Sequence, residues 1–250
     1  MTTVLLVRHG RTNANATGVL AGRSPGVELD QVGVQQAAAS AERIAPLPIR
    51  AVVSSPLRRC RQTAKAISDA RGKTDSHPLP VVAEAGLIEC GYGAWTGRKL
   101  QDLAKEKLWR TVQQQPSAVR FPDGEAMTEM SARAVSTVRG WDSKIAAELG
   151  DDALWVAVSH GDVIKAILAD ALGMHLDAFQ RIMIDPASIS VIHYAETRPF
   201  VLRMNSVGQD LASLIAKPAK KSAKKGRAGS AKSSADKDAA VGGGLGSADV

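Results

Sequence analysis

Cysteine is scarce in this sequence: two occur in 250 residues, Cys60 and Cys90. A disulfide framework is therefore excluded, and a reducing compartment is the natural setting. No cysteine–histidine spacing has the form of a zinc site. No apolar run approaches the length that crosses a bilayer. The N-terminal run from Val4 to Val7 is cut short by Arg8 and His9, which argues against a signal peptide. These absences predict a cytoplasmic protein with no membrane partner. A strong charge excess is also missing from most of the chain. The net charge is +7, but residues 205–250 hold eight Lys/Arg against four Asp/Glu, or +4. Only +3 is left for residues 1–204, so the high isoelectric point is poor support for nucleic-acid binding.

What is present suits a packed enzyme-like domain. Apolar residues make up 44% of the chain, enough for a core. Strand-like and helix-like stretches alternate, which predicts one α/β domain. Val4 to Val7 reads as a buried strand. It stops at Arg8-His9-Gly10, and ligands of open α/β sheets bind just beyond the carboxyl ends of strands. Taken alone, that pair is as readily a strand-end histidine beside a solvated arginine. The polar stretch from Thr12 to Asp30 is long for a connection, and long ordered loops are often functional. Asp30 can cap a helix to about Ala45, with Val34, Ala37, Ala38, Ala41 and Ile44 inward. Pro46 and Pro48 end it. After a strand at Ala51 to Ser54, Ser55-Pro56 opens another helix, striped by Leu57, Cys60, Ala64 and Ile67. Arg58, Arg59 and Arg61 crowd its first turns, where positive charge is disfavoured. A bound anion would resolve that conflict; solvated surface arginines are the alternative.

Val81 to Ala83 is a third strand. Beyond it, Leu87 to Gly97 sets Glu89 among Gly91, Gly93, Tyr92 and Trp95, an ordered loop around one carboxylate. Helices are predicted at about Lys99–Trp109 and Gly124–Leu149. The second carries Met127, Met130, Ala134, Val138, Trp141, Ile145 and Leu149 on one face, a core stripe and not a cofactor box. Leu154 to Val158 is a fourth strand, running into Ser159-His160-Gly161-Asp162 and a further apolar helix. Ile189–Tyr194 and Phe200–Met204 read as an antiparallel hairpin at a sheet edge. From about Ser206, alanine, lysine, serine and glycine dominate and aromatics vanish, which predicts a disordered tail. The expected division is a catalytic domain at 1–205 and a tail at 206–250. The tail's lysine-rich tract supports at most a weak electrostatic contact with nucleic acid or another acidic surface.

The strand-end residues form a chemical set: Arg8, His9, the Arg58/Arg59 pair, Glu89 and His160. Two histidines, at least two arginines and one carboxylate make neither a metal cage nor a glycosidase acid pair. Arginine forks match phosphate oxygens. Phosphoryl transfer needs positive charge around the moving group, an in-line nucleophile and an acid for the leaving oxygen. This set supplies each part without a metal or cofactor.

In combination these motifs resemble the histidine phosphatase superfamily, in its phosphoglycerate-mutase-like branch, over residues 3–204. The resemblance rests on Arg8-His9-Gly10 with Thr12 and Asn15; on Leu29, Gly33, Gln36 and Ala37; on Ser55-Pro56-Leu57-Arg58-Arg59 with Gln62-Thr63-Ala64; on Leu87, Glu89, Gly93 and Gly97; and on Ser159-His160-Gly161-Asp162. It implies a three-layer α/β sandwich with a mostly parallel central sheet and a helical insertion over the active site. It implies a phosphohistidine intermediate on His9. Arg8, Arg59 and His160 would hold the phosphoryl group, helped by Asn15 and Gly161. Glu89 would be proton donor and then base, with Glu84 and Asp162 as lower-ranked competitors. The same resemblance puts Arg59, not Arg58, on the phosphate. A small phosphate ester is the implied partner, and a homodimer is left open.

Glu89 must be protonated as the leaving oxygen departs and ionised when water attacks, so partial burial beside Tyr92 or Trp95 would suit it. His9 must attack as neutral imidazole, its tautomer fixed by a backbone carbonyl near Gly10. Phosphoglycerate mutases of the family carry an arginine pair in the insertion after the glutamate motif. Here the insertion reads Leu108-Trp109-Arg110-Thr111-Val112 and then Phe121-Pro122-Asp123-Gly124-Glu125, followed by Arg133, which favours a phosphatase. Arg11, Arg23, Arg98 and Lys99 keep an acidic substrate, and so a mutase, open. A phosphate-binding module without turnover is the third reading.

Overall fold

The structure, a computed structural model, describes residues 1–75 and 78–208. The strands are β1 (Thr3–Arg8), β2 (Ile49–Ser54), β3 (Val81–Ala83), β4 (Leu154–Ser159), β5 (Ile189–Tyr194) and β6 (Pro199–Ser206). They form one six-stranded sheet in the order β3-β2-β4-β1-β5-β6. The first four in that order are mutually parallel, while β5 and β6 run antiparallel as the expected edge hairpin. The helices are α1 (Asn13–Ala16), α2 (Gln31–Ile44), α3 (Arg58–Asp75), α4 (Leu100–Leu103), α5 (Lys107–Gln114), α6 (Met127–Leu149) and α7 (Gly161–Ala171).

The central strands are apolar on both faces because both faces are covered. Val4, Leu6, Val53, Trp155 and Ala157 pack with the α6 and α7 residues Met130, Ala134, Val138 and Ile164. Leu5, Val7, Val52, Val156 and Val158 pack with Ala41 and Ile44 of α2 and Cys60, Ala64 and Ile67 of α3. The result is three layers, helices–sheet–helices. The segment between β3 and β4 holds α4 and α5. It is stitched to the loop after β1 by backbone bonds from Leu20 to the Arg98 carbonyl (2.9 Å), Gly97 to Leu20 (2.8 Å) and Leu100 to Gly18 (2.8 Å).

Several expectations shift. Val34 and Ala38 of α2 are exposed; the buried stripe is Gly33, Ala37, Ser40, Ala41 and Ile44. The helix is turned by a close backbone approach that hydrophobicity does not report. A Cβ on Gly33 would lie 1.9 Å from the Arg11 carbonyl oxygen, and one on Gly10 would lie 2.3 Å from that of Gly33. Ser40 completes the stripe by donating to the Ala187 carbonyl at 2.6 Å. The helix expected at Lys99–Trp109 is instead the two short helices α4 and α5. The polar stretch after β1 contains α1, and a 3-10 turn at Leu176–Arg181 was not legible at all. Strand β6 runs on to Ser206, which accepts from Arg43 through its carbonyl (2.9 Å) and hydroxyl (2.6 Å). The tail expected beyond it lies outside the described residues from residue 209 on. Among the described residues, no helix is long and apolar enough to cross a membrane.

Candidate active site

The parallel register of β1 and β4 pairs Arg8 with Ser159. His9 and His160 are each one residue beyond that pair, so two histidines leave adjacent strands at the same level. The His9 N–H still bonds the Ser159 carbonyl at 3.0 Å. Their rings stand 5.3 Å apart, inclined by 64°. Strand β2 ends alongside, and Ser55 and Arg59 follow it. The predicted residues Arg8, His9, Arg59, Glu89 and His160 thus converge, and all are buried.

Arg59 bridges the histidines. Its Nε donates to His9 Nε2 at 3.2 Å, and its Nη2 lies 3.2 Å from His160 Nδ1 and 2.8 Å from the Gly22 carbonyl it donates to. Its Nη1 is buried with no hydrogen-bond partner among the described residues. Arg58 points outward to Glu28 at 2.9 Å, with 62% of its side chain exposed. Of the two arginines, Arg59 is the one that faces the histidines. Arg8 is anchored by donating from Nη1 to the Ile184 carbonyl at 2.7 Å. Burial lowers its guanidinium to about 10, so it stays charged at neutral pH.

His9 Nδ1 lies 2.7 Å from the Gly10 carbonyl oxygen. A carbonyl can only accept, so Nδ1 carries the proton. Arg59 can only donate, so Nε2 presents its lone pair. The two partners fix one neutral tautomer. Burial first, then Arg59 and Arg8, push this imidazole well below its usual value. Burial, then Arg59 and His9, likewise push the His160 imidazole well below its usual value. Its Nε2 meets the Ser55 hydroxyl at 2.8 Å. The Cys60 thiol lies 3.4 Å from the same nitrogen. Burial pushes that thiol up to about 12, so it stays protonated at neutral pH.

Glu89 brings its Oε2 within 3.7 Å of His160 Nδ1. Its Oε1 accepts from the Cys90 N–H at 2.9 Å. Burial first, then the Asp162 carboxylate, push Glu89 up to about 7, with Arg59 pulling the other way. A carboxyl near neutrality can serve as both acid and base. The competitor Glu84 is elsewhere: it caps a 3-10 turn through Gly86 (2.8 Å) and accepts from Trp141 Nε1 (2.9 Å). Asp162 sits behind the site, where it accepts from the Tyr92 hydroxyl at 2.7 Å and faces Lys165 at 3.5 Å.

Asn15 makes its contacts with Thr12, accepting through Oδ1 from the backbone N–H (3.1 Å) and the hydroxyl (2.8 Å) in a capping box on α1. Gly161 is buried and opens α7, whose first-turn N–H groups have no intrahelical partner. Among the cations considered for substrate selection, Arg11 pairs with Asp30 (2.8 Å) and Arg98 with Glu106 (2.6 Å). Arg23 pairs with Glu125 (2.9 Å) and also donates to the Glu89 carbonyl at 2.7 Å. Sequence reasoning missed Ser55 as a histidine partner and missed the Asp162–Lys165 pair. The second had a signal: a lone lysine one turn beyond an aspartate in an otherwise apolar helix.

Comparison with known proteins bears on the family and the fold. The family model of the histidine phosphatase superfamily (branch 1) matches residues 4–207. A Yersinia pestis protein named "Probable phosphoglycerate mutase GpmB" is 33% identical over 199 residues, covering 79% of this chain and 87% of that relative. The phosphoserine phosphatase of Entamoeba histolytica, solved with phosphoserine, superposes with a TM-score of 0.72 at 23% identity, over 83% of this chain and 98% of that one. A mycobacterial glucosyl-3-phosphoglycerate phosphatase gives a TM-score of 0.72 at 24% identity, over 82% and 99%. With the family model spanning most of its length, this chain belongs to the histidine phosphatase superfamily.

Proposed function

We propose that the protein is a metal-independent phosphomonoester hydrolase working through a phosphohistidine on His9. The observation that carries this reading is the tautomer of His9, whose Nε2 lone pair is set among two buried arginines. In the first step Nε2 bonds to phosphorus as the ester P–O bond breaks, and the Glu89 proton goes to the departing oxygen. In the second, Glu89 takes a proton from water, the water oxygen bonds to phosphorus, and the P–N bond breaks. Arg59 trades its hydrogen bonds to the histidines for phosphoryl oxygens, and its unpartnered Nη1 supplies a further donor. Arg8, His160, the Gly161 N–H and the Asn15 amide complete the cradle. His160 serves from the side, at the N-terminus of α7, where anions are favoured.

A phosphomutase using the same intermediate is the second reading, favoured by the 33% identity to the protein named a phosphoglycerate mutase. Against it, Arg11 and Arg98 already have carboxylate partners. Assays in a chelator, with phosphoserine, phosphoglycerates and sugar phosphates, separate the readings. The hydrolase releases inorganic phosphate from at least one ester. Interconversion of phosphoglycerates without phosphate release would establish the mutase, and no turnover on any ester would leave a binding module.

A further inference from the structure

Glu89 lies in a stretch between two 3-10 turns, Ala85–Leu87 and Gly93–Trp95, with no ladder to hold its backbone. Its position is instead fixed by three charged side chains from elsewhere. Arg133 of α6 donates through Nη1 to the carbonyls of Gly86 (2.9 Å) and Ile88 (2.7 Å), and through Nη2 to that of Glu89 (3.0 Å). Arg23, from the loop after the nucleophile, donates through Nε to the same Glu89 carbonyl at 2.7 Å. Glu125 joins the two. It accepts from Arg133 Nε (2.7 Å) and Nη2 (3.0 Å), from Arg23 Nη2 (2.9 Å) and from the Gly91 N–H (3.0 Å). Its own N–H donates to the Gly91 carbonyl at 2.7 Å. The loop backbone is thus tied on both sides of Glu89.

We infer that Glu125, with Arg133 and Arg23, is a positioning device for Glu89: it sets where the acid's carboxyl points, without touching the phosphate. The inference rests on the hydrolase reading above. Two guanidiniums share the Glu89 carbonyl, so loss of Glu125 frees both from their common anchor. Near-attack geometry is demanding, and a misplacement of about 1 Å costs on the order of 10²-fold. A residue acting only through Glu89 should matter in proportion to how much acid help the leaving group needs.

The test measures kcat/KM, which reports the steps up to leaving-group departure, for an alkyl phosphate and for 4-nitrophenyl phosphate. Glu125→Gln is expected to lower the alkyl value about 10²-fold and the aryl value by less than about fivefold. Arg23→Gln, a milder change on a half-exposed side chain, should show the same split at about tenfold against twofold. In a Glu89→Gln background, Glu125→Gln should have no further effect on the alkyl-to-aryl ratio, because coupled residues are not additive. Equal losses on both esters, or an additive effect in that background, would overturn the positioning role while leaving the hydrolase reading standing. A wild-type protein that hydrolyses neither ester would instead overturn the reading on which this inference rests.

Discussion

The proposed nucleophile, His9, and the proposed acid, Glu89, are held in place by different means. His9 and His160 end adjacent parallel strands, and backbone pairing in β1 and β4 sets their level and spacing. Glu89 sits in a loop whose carbonyls are held by Arg133 and Arg23. The strand ends depend on two apolar strands buried on both faces, which many sequences can satisfy. The acid loop depends on three charged side chains from three separate segments. The lesson is that one site joins a robust half to a fragile half, and substitutions should reveal which is which.

The largest expected effect lies in the strand half. His9→Ala should abolish turnover of every ester, aryl or alkyl, in a steady-state assay, with the fold retained by circular dichroism. Residual turnover of the aryl ester above a tenth of wild type would break the comparison. Next comes the arginine that bridges the histidines. Arg59→Ala should lower kcat/KM on the order of 10²–10³-fold for both esters, the scale of one lost transition-state donor. Arg58→Ala, which removes only an exposed pair with Glu28, should change it by less than about twofold. Equal effects would mean that the helix register is misread.

The loop half should be selective. Glu89 is protonated below about 7 and ionised above it, so kcat/KM for alkyl phosphates should fall as pH rises through that value. Glu89→Gln should remove this limb and lower the alkyl value at pH 6 on the order of 10²-fold. The aryl value should fall much less. The smallest effect is on stability. Burial raises Glu89 from its ordinary 4.5 to about 7 in the folded state, so holding it ionised opposes folding above pH 7. That penalty disappears below about pH 4.5, where folded and unfolded forms are both protonated. Glu89→Gln should therefore raise stability at pH 8 by about 1–3 kcal/mol and by much less at pH 5. A melting curve at each pH checks the sign.

The same contrast explains what the sequence could disclose. Val4 to Val7 and Leu154 to Val158 are uninterrupted apolar runs leading into histidine and glycine, so the strand half was legible, as was the edge hairpin, while the three layers came only with the family resemblance. Arg59 became distinguishable from Arg58 only through the motif around Ser55. The clamp was not legible, because Arg23, Glu125 and Arg133 are far apart in the chain and carry no shared spacing. The inward stripe of α2 was misjudged for a related reason: Gly33 and Ser40 are buried by backbone proximity and a hydrogen bond, and neither counts as apolar. Asp162, ranked below Glu89 as the acid, is buried beside it and accepts a hydrogen bond from Tyr92, a pairing that the sequence did not disclose.

The central claim is that phosphate passes through His9. Rapid quench of wild-type enzyme with an aryl phosphate, under alkaline conditions that preserve phosphohistidine, followed by peptide mass spectrometry, tests it directly. Glu89→Gln, in which the second step should be slowed, raises the amount trapped. The account predicts a phosphoryl group on the peptide bearing His9, formed at a rate no slower than turnover. A phosphoryl group on His160 or on a serine, or an unmodified enzyme during active turnover, would contradict it.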